Sequence, residues 1–319
     1  MSEHAGQKVE AGGSSVVAPA PAAALAAAAD RALTRGRVDS PWRMASRRFF
    51  RHRLAAAGLV ISILLILSAI FAPWLAPDDP LRINVLARFV PPGEQGYPLG
   101  SDELGRDLLS RLLYAGRISL SVGFVAMLVT VSIGTLVGLI SGYFGGIMDT
   151  ILMRVTDALM CFPTIFLLLV LASFVGPSLL SITIIIGVTA WMELARILRN
   201  QTMALRERDY VHAAVALGAN HRRILFRHLL PNSLAPIMVA ATLNIANAVL
   251  LESYISYLGY GIQPPDASWG NMLNKAQSYF DDAPWVAIFP GLIITLTVVS
   301  FNFIGDGLRD ALDPRTKKG

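Results

Sequence analysis

YVHAAVALGANHRRILFRHLLPN, residues 210–232, decides how this chain must be read. It has the pattern of two short helices around Gly218, rich in Arg and His, ending at Leu230-Pro231. Asp209 is placed to cap the first helix, which runs through 217, and Gly218 supplies the left-handed residue that stops it. Asn220 can cap the second helix. Pro231, without an amide N–H, prevents its continuation. The first helix presents Ala213, Ala214 and Ala216, small side chains that suit close docking. The second presents Arg222, Arg223, Ile224, Phe226 and Arg227, a mixed basic and aromatic face. So short an element buries little by itself. It docks on another protein or lies against an anionic membrane surface, and residue chemistry leaves both open.

Apolar runs flank this hairpin on both sides. Hydrophobic residues make up 54% of the 319 positions and charged residues 15%, where soluble domains carry roughly a quarter charged. Mean hydropathy is +0.54. Lipid is the simplest surface for the excess apolar area. A spanning helix needs about 20 mainly apolar residues, and six segments qualify: 54–75, 117–141, 151–175, 178–198, 233–254 and 285–305. The fold class expected is an all-α integral membrane protein with six transmembrane helices. Cys161, the single cysteine, excludes an intrachain disulfide and a multi-Cys zinc site. It reads as a small buried hydrophobe.

Arginine placement sets the orientation. Arg31, Arg35, Arg37, Arg43, Arg47, Arg48, Arg51 and Arg53 precede the first span and put that end in the cytoplasm. Six spans return the C-terminus, which ends DPRTKKG, to the same side. The segment holding Arg199, Arg206, Arg208, Arg222, Arg223 and Arg227 is then cytoplasmic too. The loop with Lys275, Asp266, Asp281 and Asp282 is outside. Arg82, Arg88, Arg106 and Arg111 in the long first loop are offset by acids there. Residues 1–40, with SSVVAPAPAAALAAAAD, read as a disordered Ala/Pro-rich cytoplasmic tail. A signal peptide is the rival, but its arginines would precede the Ala run. The domain reading is this tail, a first span and loop over 41–116, a five-helix core over 117–308 enclosing the hairpin 205–232, and a basic cytoplasmic tail over 309–319.

Within the spans, Ala126, Thr130, Gly134, Gly138, Gly142 and Gly146 recur every four residues and form one helical stripe. Small residues so spaced let a second backbone approach, from this chain or from another subunit. Arg154 and Asp157 are spaced to pair with each other, and Glu193 with Arg196 likewise. Asn244, Asn247 and Glu252 on the fifth span either line a translocation path or hydrogen-bond neighbouring helices. No nucleophile with its base and no phosphate-binding loop is visible. His221 and His228 can share a face, but no third ligand accompanies them, so no metal site is expected.

The hairpin resembles the cytoplasmic coupling motif of ABC importer permeases, on His212-Ala213-Ala214, then Gly218, then Leu230-Pro231. His212 stands where the family has Glu, and His228 where Ile is usual. The resemblance extends through YPLGSDELGRDLLSRLLYAGRISL (97–120), GYFGGIMDTILMRVTDALMCFP (142–163), LRERDYV (205–211, with Tyr210), LGYGIQPPDASWGNML (258–273) and FNFIGDGLRDALDPR (301–315). These segments look like the C-type permease subunit of dipeptide and oligopeptide importers, and together cover most of 41–319. The resemblance implies a type I ABC importer permease fold in the bacterial inner membrane. It implies a second, similar permease chain, two ATPases that hold the ATP and Mg, and an extracytoplasmic binding protein. Tyr210, His212, Ala213, Ala214, Gly218, Arg222, Arg223, Leu230 and Pro231 are then the ATPase-coupling residues. No cofactor in this chain, no catalysis by it and no nucleic-acid partner are expected. Relatives of the subfamily also carry nickel, glutathione and other peptide-like cargo. His212 in place of Glu reads either as a tolerated substitution or as a pH-sensitive contact. A secondary transporter would need mid-membrane coupling charges and often an internal repeat. No repeat is visible here, and the charged groups lie near span ends.

Overall fold

The computed structural model describes residues 41–274 and 276–312. The expected N-terminal tail, Lys275 and the basic end 313–319 lie outside the described residues. From Ala45 onward the chain forms one compact unit. Its elements are helices: α1 Pro41–Arg51, α2 Arg53–Ile70, α3 Leu108–Phe144, α4 Gly146–Met160, α5 Thr164–Val175, α6 Leu179–Arg206, α7 Asp209–Ala216, α8 Leu234–Tyr257 and α9 Trp285–Leu312, joined by shorter helical turns. Helices α2, α3, α6, α8 and α9 are each long and apolar enough to cross a bilayer.

The third expected span differs from the sequence expectation. Segment 151–175 is not one helix but the pair α4 and α5, bent by 87°. Proline accounts for the break. Pro163 disfavours helical geometry in the residue before it and gives no N–H to the preceding turn. Cys161 lies at this bend and is exposed, not buried. The other correction is α3, which begins at Leu108 and not at 117. Its 37 residues span roughly 55 Å, well beyond a hydrocarbon core about 30 Å thick. Asp107 caps it by accepting from the Ser110 amide at 2.7 Å.

Arg111, expected in the first loop, is buried inside this helix, with Nε 3.3 Å from Asp102. Arg106 reaches the same carboxylate at 2.7 Å. Two guanidinium groups on one buried carboxylate fasten the long loop to the start of α3.

The small-residue stripe packs within the chain. A Cβ on Gly134 would fall 2.9 Å from the Trp191 carbonyl, and one on Gly142 would fall 2.6 Å from that of Arg199. Both carbonyls belong to α6. Gly187 of α6 answers by seating against Val129, and Thr130 Oγ1 donates to its carbonyl at 3.1 Å. Gly146 is not part of this contact, because α3 ends at Phe144 and nothing lies near Gly146. On the other side, α2 meets α9 where Gly58 faces the Ser300 carbonyl and Ala55 faces Gly307. Between helices in lipid, such close backbone approach is a main source of attraction.

Candidate coupling hairpin and membrane cavity

Helix α7 starts after Arg208, so Asp209 is its first residue and not its cap. Its charge there complements the positive end of the helix dipole. Leu217 follows as the C-cap, and Gly218 takes φ +78°, the left-handed turn expected of it. Asn220 Oδ1 accepts from the Arg223 amide at 2.9 Å, as a cap should. Pro231 does not end the second helix. The chain widens into a π-helical stretch over Ile224–Leu229 and then continues through Leu230–Asn232. Proline cannot donate to the turn before it, and the wider turn lets the chain run through. The direction changes at Ser233, whose amide and hydroxyl both donate to the Leu229 carbonyl at 3.0 Å.

One face of this hairpin is fastened down. Val211, Ile224, Leu225 and Leu229 are buried together with Leu139 of α3. Tyr143 Oη lies 2.8 Å from His221 Nδ1, and Arg206 donates to the Tyr143 carbonyl at 3.1 Å. The opposite face is open. Leu217 is 88% exposed, and Tyr210, Val215 and Phe226 are exposed beside it. His212, Ala213, Arg222, Arg223, Gly218 and Pro231 are exposed as well, while Ala214 and Leu230 are half-buried. The nearest charge to His212 is Glu207, 3.9 Å away. No cluster of three metal-ligating residues forms among the described residues.

A cavity of about 770 Å³ opens between α6, α8 and α9. Its polar lining includes Glu193, Gln201, Arg208, Asn244, Asn247 and Arg309. Asn244 spends one amide hydrogen on the Ala240 carbonyl at 2.8 Å. Arg208 is also the N-cap residue of α7, so cavity and hairpin share a residue. Sequence reasoning found the two asparagines but missed Gln201, Arg208 and Arg309. The expected ion pairs are exchanged: Arg196 bonds Asp157 across to α4 at 2.5 Å, leaving Glu193 to the cavity and Arg154 without an ion pair among the described residues.

Glu252 is not at the cavity. It is fully buried at the other end of α8. Ser119 donates to it at 3.0 Å and Ser256 at 2.7 Å. Ser119 in turn accepts from the Trp269 amide and Ser256 from the Ile262 amide, each at 3.1 Å. This carboxylate therefore holds α3, α8 and the 262–269 loop together. Glu252→Gln keeps one acceptor oxygen and the same shape, so its thermal midpoint should stay close to wild type. Glu252→Ala strands buried hydroxyls and opens a void, at a cost of about 2–4 kcal/mol. Equal midpoints for the Gln and Ala variants would remove Glu252 from this role.

Comparison with known proteins agrees with this architecture. Residues 134–318 match the family described as binding-protein-dependent transport system inner membrane component. Residues 40–92 match the N-terminal transmembrane domain of oligopeptide transport permease C. An oligopeptide transport system permease protein of Haemophilus influenzae is 42% identical over 279 residues, covering 87% of this chain and 90% of that protein. A dipeptide transport system permease protein of Alkalihalophilus pseudofirmus is 41% identical over 278 residues, covering 87% and 91%. A glutathione transport system permease protein of Pectobacterium atrosepticum is 41% identical over 280 residues, covering 88% and 93%. With its membrane-crossing helices, exposed hairpin and polar cavity, this chain belongs to the inner-membrane permease family of binding-protein-dependent ABC importers.

Proposed function

We propose that this chain moves di- or oligopeptides inward across the bacterial inner membrane. An extracytoplasmic binding protein delivers the peptide, and separate ATPase subunits supply the energy. The carrying observation is the hairpin, which is fastened to α3 through Val211, Ile224, Leu225 and Leu229 yet leaves Leu217 88% exposed. A firmly held element with an uncovered apolar tip suits a docking lever. On this reading the hairpin end faces the cytoplasm and inserts into a cleft of an ATPase. A second, similar permease completes the path, with Asn244 and Asn247 on this chain's side of it. ATP and Mg stay in the ATPases, and no bond is made or broken in this chain. The ATPases close on ATP, the hairpin moves with them, and Arg208 carries that movement to the rim of the cavity. The chain supplies the differential stability of two arrangements, as any such switch requires.

The test is gentle solubilisation of the tagged chain with its genomic neighbours, followed by identification of copurifying proteins and small molecules. A second permease, ATPases and a peptide-loaded receptor are expected. A receptor carrying glutathione, the cargo named for one relative, would keep the mechanism and change the substrate. The chain alone, under conditions that keep a known importer intact, would overturn the reading.

His212 gives a sharper check. It is exposed and its ionic neighbour Glu207 is 3.9 Å away. Replacement by Glu, the residue the family resemblance favours, should leave transport and ATPase rate within about twofold between about pH 6 and 8. A variant that flattens a pH dependence seen in the wild type would instead make His212 a sensor.

A further inference from the structure

The last turns of α1 combine charge and apolar area at the point where a span begins. Phe49 is buried, its ring seated against Gly307 of α9. Arg47 and Arg51 are four residues apart and Arg48 is three before Arg51, so the three share one arc of the helix away from Phe49. Arg47 and Arg51 are exposed and Arg48 is half-buried. None of the three guanidinium groups makes a hydrogen bond or ion pair among the described residues. Phe50 is 63% exposed beside them, its ring edge-on to that of Phe49 with centroids 5.6 Å apart. His52 alone separates this helix from α2, and its ring caps α2 by accepting from the Ala55 amide at 3.1 Å.

Helix α2 is long and apolar enough to cross the membrane in which this family resides. Its apolar residues from Leu54 onward therefore enter the hydrocarbon, and Arg47, Arg48 and Arg51, three to seven residues earlier, lie at headgroup depth. Unpaired guanidinium groups there face phosphate, and an exposed Phe next to them faces acyl chain. We propose that Arg47, Arg48 and Arg51 form a binding face for the phosphates of anionic phospholipids, with Phe50 inserted beside the bound headgroup. The occupant follows from charge complementarity and from position. Arginine forks match phosphate oxygens, and basic helices with an apolar flank bind anionic bilayer surfaces. The site also has a route to the cavity. Phe49 touches α9 at Gly307, His52 Nε2 lies 3.8 Å from Asp310 of the same helix, and neighbouring Arg309 lines the cavity. A lipid held on α1 thus steadies the end of α9 that borders the path.

The full chain, purified in a neutral detergent, is titrated with phosphatidylglycerol or phosphatidylcholine while its thermal midpoint is followed. Native mass spectrometry of the same samples counts retained lipid. Phosphatidylglycerol should raise the midpoint and be retained in preference to phosphatidylcholine, with both effects weakened by salt. Affinity should fall about fivefold per arginine removed, so the triple change Arg47→Gln, Arg48→Gln and Arg51→Gln should abolish the preference. The triple Lys variant should keep most of it. Should the Gln variant fail to fold, the wild-type preference and its salt dependence decide alone. Equal retention of the two lipids, a preference that survives the Gln changes, or the same midpoint rise from inorganic phosphate would each overturn the proposal.

Discussion

Replacing Gly138 by valine leaves no folded protein to extract from the membrane. A Cβ at this position would lie 2.7 Å from the Ala195 carbonyl oxygen, 2.7 Å from the Leu198 Cβ and 3.1 Å from the Arg199 amide nitrogen. Two of these three atoms are backbone of α6, and the third is the fixed root of a side chain. None can rotate away, so α3 and α6 must separate. Separation here also strains the contacts at Gly134 and Gly142 on the same stripe. Overpacking of one site costs about 1–3 kcal/mol, and the loss of adjoining contacts raises the cost further. That approaches the whole stability of a typical domain, roughly 5–15 kcal/mol. Gly291 is the control: a Cβ there meets nothing within 4 Å, so Gly291→Ala should extract and melt as wild type. The measurement is the monodisperse fraction after detergent extraction, together with the thermal midpoint. Wild-type behaviour of Gly138→Val would rule out the α3–α6 contact described above.

That contact shows what the sequence can and cannot carry. The four-residue spacing announces a close helix approach, because only small side chains permit one. It does not say whose backbone arrives, since a stripe of Gly has no chemistry of its own. The bend between α4 and α5 has a similar limit. Hydropathy sums over a window and is blind to direction, so it carries one apolar run through Pro163, where the chain turns by 87°. Arg111 shows another limit, because the sequence reading places it in the first loop. A charge in an apolar pattern normally marks an end, and here the burial of Asp102 beside it removed that meaning.

The candidate sites were legible wherever local rules suffice. Gly218 and Asn220 sit where turn and cap chemistry put them, because both acts involve only a few adjacent residues. Local spacing failed for the ion pairs. Arg154 and Asp157 are correctly spaced on one helix, yet Arg196 of α6 takes the carboxylate. A partner on a neighbouring helix can outcompete one on the same helix, and no sequence interval encodes that. Glu252 is a matter of depth. Its place near the end of α8 could be read, but its complete burial under Trp269 and the 262–269 loop depends on how that loop returns to the bundle.

Leu217→Asp should silence transport while leaving the permease intact, if the hairpin is the ATPase contact proposed above. Leu217 is 88% exposed in this chain, so its side chain adds almost nothing to the fold. A docked partner changes that. Burying a Leu stabilises by about 1.5–3 kcal/mol, so losing it weakens docking roughly ten- to hundredfold. An aspartate left in the same apolar cleft adds a desolvation cost. The expected result is a thermal midpoint within a degree or so of wild type, little ATPase subunit retained on the tagged chain, and transport down at least tenfold. Val211→Ala is the counterpart, since Val211 is buried between the hairpin and Leu139. That change should lower the midpoint before it affects docking. The two variants separate fastening from coupling. The lever assignment fails if Leu217→Asp retains its ATPases and transports normally. If instead it melts early, the exposed face is a missing part of this chain's own packing.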